Sequence, residues 1–482
     1  MDSLAANVET KSYKLGKLDA VISILNARMV CFYENRDSSS TFMPSDKLKE
    51  GFSKTLVKFP WLLGHLKQTR DRLLEVVVDK CNLNMPIYRE TQSDVHFSDI
   101  KSADYNRETW PSDLISTNSI TCPEKDTGVI KLLNVHVVRL KENSGVIISA
   151  GFCHGVADAT SYFTFLNHWA DETRTLITGD PLEEVEYCFD PALLLQYLPS
   201  ERTPLSETTK EVLSLNSRIG NFVMQLSPTT RGKLLNFIDS KTPLRGHLFR
   251  ISHKALDELR SQVLECMPPG SRVSDNDLLV ATAYKVHGQA ELEAASNSKG
   301  LFARLFQCRT RAQGEHCCSI NCNVTGILGM GNLNYVGNPL MGECIKNPMD
   351  HAQAPLTAQT IADIAGQVRS ATSNISPPYV AEYMDTFNAP GCKLGIFTAL
   401  ATHYNVFTTT SNIRRLKMYD ADFGSGVQAF TTVPPDYGAG VFIFMPSPSA
   451  SKDIVVNVSA SPAVMDCILK NRHWMELAEF VY

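Results

Sequence analysis

The 482-residue chain lacks any apolar run of 18 residues, so a membrane-spanning helix is not expected. It has no basic stripe either. Its 46 lysines and arginines face 51 aspartates and glutamates, for a net charge of −5, and no aromatic-basic interleaving offers a phosphate backbone a track. Nucleic acid is therefore not an expected partner. The opening "MDSLAANVETKSYKLGKLDA" carries no basic-then-apolar secretory pattern, which points to the cytoplasm. Neither GxxxxGK[ST] nor GxSxG occurs, and "GILGMGNLNYVGN" lacks the third glycine of a dinucleotide fingerprint. Phosphate-cradling loops and a hydrolase elbow are thus unsupported. No repeat of 20 to 50 residues is present, which removes solenoids and propellers. Paired cysteine spacing is missing too: the thirteen cysteines are odd in number and scattered, so reduced, mostly buried thiols are expected. Without a secretory signal, the sequons at Asn323, Asn374 and Asn457 carry little meaning.

What is present is a chain able to fold. Apolar residues make up 43% and charged residues 20%, enough to bury a core that offsets the entropy of ordering. The length favours two domains over one. In "SDKLKEGFSKTLVKFPWLLGHLK", Leu48, Phe52, Leu56 and Phe59 recur at helical spacing, with Ser45 as a cap and Pro60 as the stop. "LLNVHVVRLKENSGVIISAGF" reads as a hairpin turning at "KENSG", and "ATSYFTFLNHWADETRTLI" reads as a helix laid on a sheet through Tyr162, Phe165, Leu166 and Trp169. Residues 201–244, which mix polar residues and prolines with a modest helical segment, suit a crossover linker between domains 1–200 and 245–482. Beyond it, "GHLFRIS", "GVFIFMPSP" and "DIVVNVSAS" read as strands, and helices are expected near 253–266 and after Ser274. Both halves mix α and β.

Candidate chemistry concentrates in "GFCHGVADATS", where a strand hands over to a helix. Histidine is the side chain whose ordinary pKa suits proton transfer near neutrality, and Gly155 and its small neighbours leave room for a ligand beside His154. A lone histidine at a strand end is more often a satisfied core residue. Asp158 has two compatible roles, orienting the histidine loop or capping the following helix. Cys153 points to the opposite face from its neighbour in an extended strand, which argues against a thiol-imidazole pair. "EHCCSINC" places His316, Cys317, Cys318 and Cys322 close together, but without zinc-ligand spacing, so no metal is expected. "MYDADFGSGVQAF" sets Asp420 and Asp422 beside Gly424 and Gly426. A carboxylate pair for catalysis competes there with a plain turn in which aspartate caps backbone amides, and the turn is favoured.

Taken together, these motifs resemble the acyl-CoA-dependent transferases of the BAHD family. "HGVADATSYFTFLNHWA" looks like the HxxxDG segment, "EYCFDPALL" like the FDR-type segment, "CRTRAQ" like RxR, "NYVGNPL" like YFGN, and "SNIRRLKMYDADFG" like the TSW…DFG run. The arrangement is most similar to fungal secondary-metabolite members, such as the trichothecene 3-O-acetyltransferases.

The resemblance implies an α/β fold of two similar chloramphenicol-acetyltransferase-like domains with a channel between them. It implies a monomer that moves an acyl group, expected to be acetyl, from acyl-CoA to a hydroxyl or amine of a small acceptor. No cofactor beyond the acyl-CoA cosubstrate is implied. His154 is the expected base, and Asp158 its structural support through Arg309. Ser411 and Asn412 are the expected oxyanion donors, while Asp422, Gly424 and Gly426 are structural. Three positions depart from the family pattern: Ala159 replaces glycine, Ser425 replaces the tryptophan of DFGWG, and Ile413 replaces the tryptophan of TSW. Two alternatives share the fold, a condensation-type enzyme using carrier-bound thioesters and a binding protein that has lost its chemistry. Cys153, where condensation enzymes carry a first histidine, counts against the former.

Overall fold

A computed structural model describes residues 6–115, 117–297, 314–389, 394–396, 400, 403–448 and 452–482. Its two α/β lobes are each built on a sheet. In the N-terminal lobe five strands run in the order Phe430–Thr432, Asn26–Glu34, Gly145–Cys153, Leu133–Arg139 and Ile87–Gln92. The expected hairpin is present, with Leu133 facing Phe152 and Arg139 facing Val146. Glu142 and Asn143 make its turn at positive φ.

The helix expected at the motif runs over Ala159–Thr178, and it packs the way its periodicity requires. Tyr162, Phe165, Leu166 and Trp169 are all buried. Phe152 on the central strand meets Tyr162 and Phe165 with ring centroids 5.2 and 5.3 Å apart, an edge-to-face fit that adds to the burial. The helix Ser45–Lys58 lies against the same helix, and Phe52 reaches Trp169 at 5.3 Å. Each large apolar side chain buried here contributes about 1.5–3 kcal/mol. Ser45 is not the cap: Pro44 occupies that position without a side-chain cap bond, and the Ser45 hydroxyl donates instead to Glu90 at 2.6 Å. A serine hydroxyl drawn to a carboxylate on a neighbouring strand is lost to its own helix.

The C-terminal lobe holds seven strands in the order Leu340–Pro348, Glu315–Asn323, Val406–Asn412, Val441–Pro446, Ile454–Ala460, Arg245–Ile251 and Glu479–Phe480. The helix Asp275–Asn297 covers it, starting where Ser274 Oγ accepts the Asp277 N–H at 3.3 Å. Between the lobes, residues 201–244 contain three helices, Glu207–Ser214, Arg218–Gln225 and Pro228–Asp239. Each begins at a serine whose hydroxyl accepts a backbone N–H, namely Ser206, Ser217 and Ser227.

Two features tie the lobes together. The short strand Phe430–Thr432 belongs by sequence to the C-terminal half but pairs with Val30–Phe32 of the N-terminal sheet. Gly246 lies so close to Pro435 that a Cβ there would overlap its carbonyl. Among the described residues no helix is long and apolar enough to cross a membrane.

Candidate active site

His154 is the first residue beyond the strand Gly145–Cys153, on a loop leading to the Ala159–Thr178 helix. Its backbone N–H donates to Leu25 O at 2.8 Å, which fixes the loop to the neighbouring strand region. Its ring is only partly accessible. The ring partner comes from the other half of the chain: Nδ1 lies 2.9 Å from Asn338 Oδ1, a contact spanning 184 positions of sequence. The same amide donates through Nδ2 to the His154 carbonyl. That carbonyl can only accept, so Asn338 must turn its nitrogen toward it and its oxygen toward the ring. Nδ1 therefore carries the hydrogen and Nε2 keeps its lone pair. Burial also holds the imidazole below its ordinary value of 6.5, against the opposing pull of its own backbone, Asp158 and Asn338. The ring is neutral near pH 7, with a free acceptor nitrogen.

Asp158 is buried, and desolvation raises its carboxyl above the ordinary aspartate value. It caps the helix, Oδ1 accepting the Ser161 N–H at 2.8 Å. Its Oδ2 accepts from Asn323 Nδ2 at 3.1 Å. The amide of this sequon position is thus used internally. The Arg309 partner expected for Asp158 lies outside the described residues. A further strap comes from Gly337: its carbonyl accepts the Asp158 N–H at 3.0 Å, and its N–H donates to Ser161 Oγ at 2.9 Å. Segment 337–338 thereby holds the histidine loop at three points. The neighbouring Cys153 thiol is buried, raised by burial, and directed at Ser23 O at 3.7 Å, away from the ring.

Ser411 and Asn412 close the strand Val406–Asn412, where neighbours face opposite sides. Asn412 is committed: its Nδ2 donates to Asn276 at 2.9 Å and its Oδ1 accepts from Arg414 Nε at 3.2 Å. Ser411 lies on the other face, alongside Thr409. Ile413 is buried, and its N–H donates to Phe444 O at 2.9 Å.

Asp422 organises a self-contained turn. Its Oδ1 accepts the N–H groups of Gly424, Ser425 and Gly426 at 2.8, 3.1 and 2.9 Å. Gly424 and Gly426 have φ of 87° and 97°, which a side chain would strain. Phe423 is buried against Tyr33 and Trp169. Tyr33 lies at the far end of the strand from Asn26, the partner of Cys153. Seven residues of extended chain put the turn roughly 23 Å from the histidine loop.

The cysteine-rich strand is a packed element. His316 Nε2 lies 2.7 Å from Thr408 Oγ1, and its ring stacks on Tyr284 at 3.8 Å. Cys317 and Cys318 are buried on opposite faces. One carboxylate-imidazole group, Glu211, Glu315 and His403, is close enough to share an ion. The Lys346 ammonium lies 2.7 and 3.0 Å from its two glutamates and offsets one of their two charges. Open space is found next to the strand Gly145–Cys153: Arg28, which pairs with Gly151, lines a cleft of about 420 Å³ with Trp110, Ser119, Asp239 and Asp436.

Sequence reasoning passed over the role of Asn338. Its signal was the asparagine of "NYVGNPL", noticed as a landmark but given no contact.

Comparisons with known proteins bear on the family and the fold. The model of the Transferase family matches residues 5–217. Anthranilate N-benzoyltransferase protein 2 of Dianthus caryophyllus is 23% identical over 477 residues, covering 95% of this chain and 94% of that protein. The BAHD acyltransferase BIA1 of Arabidopsis thaliana is 25% identical over 203 residues, covering 42% of this chain and 43% of that protein. Among solved structures, F. graminearum TRI101 with coenzyme A and T-2 mycotoxin superposes with a TM-score of 0.71 at 14% identity, covering 98% of this chain and all of that one. Vinorine synthase superposes with a TM-score of 0.62 at 16% identity, covering 96% and 94%.

Proposed function

From the premise that this chain resembles the BAHD acyltransferases in sequence and fold, we propose that it transfers an acyl group from acyl-CoA to a hydroxyl or amine of a small acceptor. The observation that carries this reading is the Asn338–His154 contact, which leaves Nε2 unprotonated and facing away from its support. In the reaction Nε2 removes the acceptor proton as the acceptor oxygen or nitrogen attacks the thioester carbonyl. The tetrahedral intermediate collapses, the carbon–sulfur bond breaks, and the proton held by His154 passes to the leaving CoA sulfur. The acyl group goes directly to the acceptor, and the buried, inward-facing Cys153 has no part in it.

The oxyanion needs a donor aimed at it. Ser411 is the donor in this reading: Asn412 directs one of its N–H groups at Asn276, and Ile413 offers no side-chain donor. Asp158 holds the loop through its cap and through Asn323. Arg309 completes this support, as the resemblance implies. The working unit is a monomer, as the resemblance implies.

The test is a screen of acetyl-, malonyl- and aromatic acyl-CoAs against a metabolite extract, with mass spectrometry of the products. Acylated products that require both the protein and the CoA ester are expected. If no acyl-CoA yields a product while small molecules still bind tightly, the chain is a binding protein and the reading fails.

A further inference from the structure

The crossover helices Arg218–Gln225 and Pro228–Asp239 take no part in the scheme above, yet they carry the most exposed apolar side chains of the molecule. Ile219, Phe222 and Phe237 are 73%, 62% and 61% exposed, the three highest values for large apolar residues among those described. Leu234 and Ile238, on the same helix as Phe237, are exposed too. Their spacing is that of a face. Ile219 and Phe222 are three apart, and Leu234 precedes Phe237 and Ile238 by three and four.

The opposite sides of the two helices are pinned. Gly220 and Met224 are buried on the first, and Pro228, Arg231 and Gly232 on the second. Arg231 joins the pair to the N-terminal lobe: Nη1 lies 3.8 Å from Met224 Sδ, and Nη2 donates to Ser23 Oγ at 3.3 Å. A Cβ on Gly232 would come within 2.5 Å of Thr121 O, and Asn221 Oδ1 accepts the Gly395 N–H at 3.0 Å. Ser23 and the Asp19 carbonyl press in turn on Gly155, beside His154. A Cβ there would come within 2.7 Å of Ser23 Cβ and 2.9 Å of the Asp19 oxygen. The exposed side therefore cannot turn inward without breaking these contacts.

Charge on the exposed side has one sign. The charged residues of 217–242 are Arg218, Arg231, Lys233, Asp239 and Lys241. Arg231 is buried, and Asp239 faces the N-terminal lobe, where Oδ2 accepts from Ser119 Oγ at 2.7 Å. Arg218, Lys233 and Lys241 are exposed, with no acidic partner among the described residues. Each accompanies an aromatic ring. Arg218 is four positions before Phe222, Lys233 four before Phe237, and the Lys241 ammonium lies 5.7 Å from the Phe237 ring centroid. Apolar tips flanked by cations suit an anionic lipid surface, where the tips enter the acyl boundary and the cations meet headgroup phosphates. A protein partner fits less well, because protein interfaces are depleted in lysine. The whole chain carries −5, so approach to such a surface depends on this locally cationic face.

We propose that the crossover helix pair is a peripheral docking surface for anionic lipid bilayers, with Ile219, Phe222, Phe237 and Ile238 inserting and Arg218, Lys233 and Lys241 holding headgroups. Docking of this kind lies on the membrane and needs no spanning helix.

The experiment sediments the full chain with vesicles of phosphatidylcholine alone and of equal parts phosphatidylcholine and phosphatidylserine. Wild type should bind the mixed vesicles and be released by raised salt. Arg218→Gln, Lys233→Gln and Lys241→Gln together should weaken binding about a hundredfold, at about fivefold for each charge near the surface. The double variant Phe222→Ser, Phe237→Ser should weaken it at least about tenfold. Its melting temperature should hold, since both rings already face water. Val427→Ser removes an apolar side chain that is 51% exposed elsewhere and should bind as wild type does. Wild type that stays in solution with mixed vesicles, a double variant that binds undiminished, or an equal loss in Val427→Ser would overturn the proposal. So would a dimer that the double variant dissolves in the absence of vesicle binding, because the face would then belong to a second copy of the chain. Should the double variant not fold, undiminished binding by the triple variant would overturn the proposal instead.

Discussion

The histidine loop and the Asp422–Gly426 turn are built from the same few residue types but are held together in opposite ways. In the turn, one carboxylate oxygen satisfies three consecutive backbone donors within four residues, and the geometry closes on itself. In the loop, support comes from segments far away in sequence: Gly337, Asn338 and Asn323, all from the other half of the chain. A locally satisfied turn is a structural unit. A loop whose contacts span two lobes is one whose position depends on the whole fold, which is what a reacting group needs.

Substitutions can break this contrast. The largest effect is expected from Asp158→Ala, which removes both the helix cap and the Asn323 contact. Activity should fall by up to about a hundredfold through misplacement of His154, with a stability loss of about 1–2 kcal/mol from the missing cap. Initial rates with acetyl-CoA and denaturant melts measure both, and an unchanged rate would mean that the loop does not depend on this residue. Asp422→Ala should show the reverse pattern. Losing the turn's acceptor should cost about 1–3 kcal/mol of stability, with kcat/KM of the folded protein within about twofold of wild type. A hundredfold loss of activity there, at unchanged stability, would erase the distinction.

A third effect is a pH dependence on the loop side. The folded-state pKa of Asp19 is raised from 3.8 to about 7, so the native protein binds a proton more tightly than the unfolded chain. The stability this contributes is fully present below about pH 4 and is lost as the pH rises toward about 7. Urea melts should show that the advantage of wild type over Asp19→Asn shrinks across that window. A constant difference from pH 4 to 7 would show that the carboxyl is not held in this way.

Local patterning made much of the fold legible. Tyr162, Phe165, Leu166 and Trp169 announced their helix because apolar spacing of three and four leaves no other face to bury. The hairpin before His154 was equally clear. The crossover was read as linker, although Ser206, Ser217 and Ser227 each cap a helix there. Their helices are short, and two of them leave apolar residues such as Phe222 and Phe237 exposed, so the usual periodic signal is weak. The site was legible in its centre and not in its frame. His154 and Asp158 stood out through spacing and resemblance, whereas the contact of Asn338 with His154 crosses 184 positions of sequence and leaves no mark in either segment.

The most direct test of the central claim is the single-turnover rate of CoA release from acetyl-CoA with an accepted acceptor, compared between wild type and His154→Ala. If His154 is the base, the variant should keep its melting temperature and lose at least about a hundredfold in rate. A folded His154→Ala protein that releases CoA within about threefold of the wild-type rate would contradict the account.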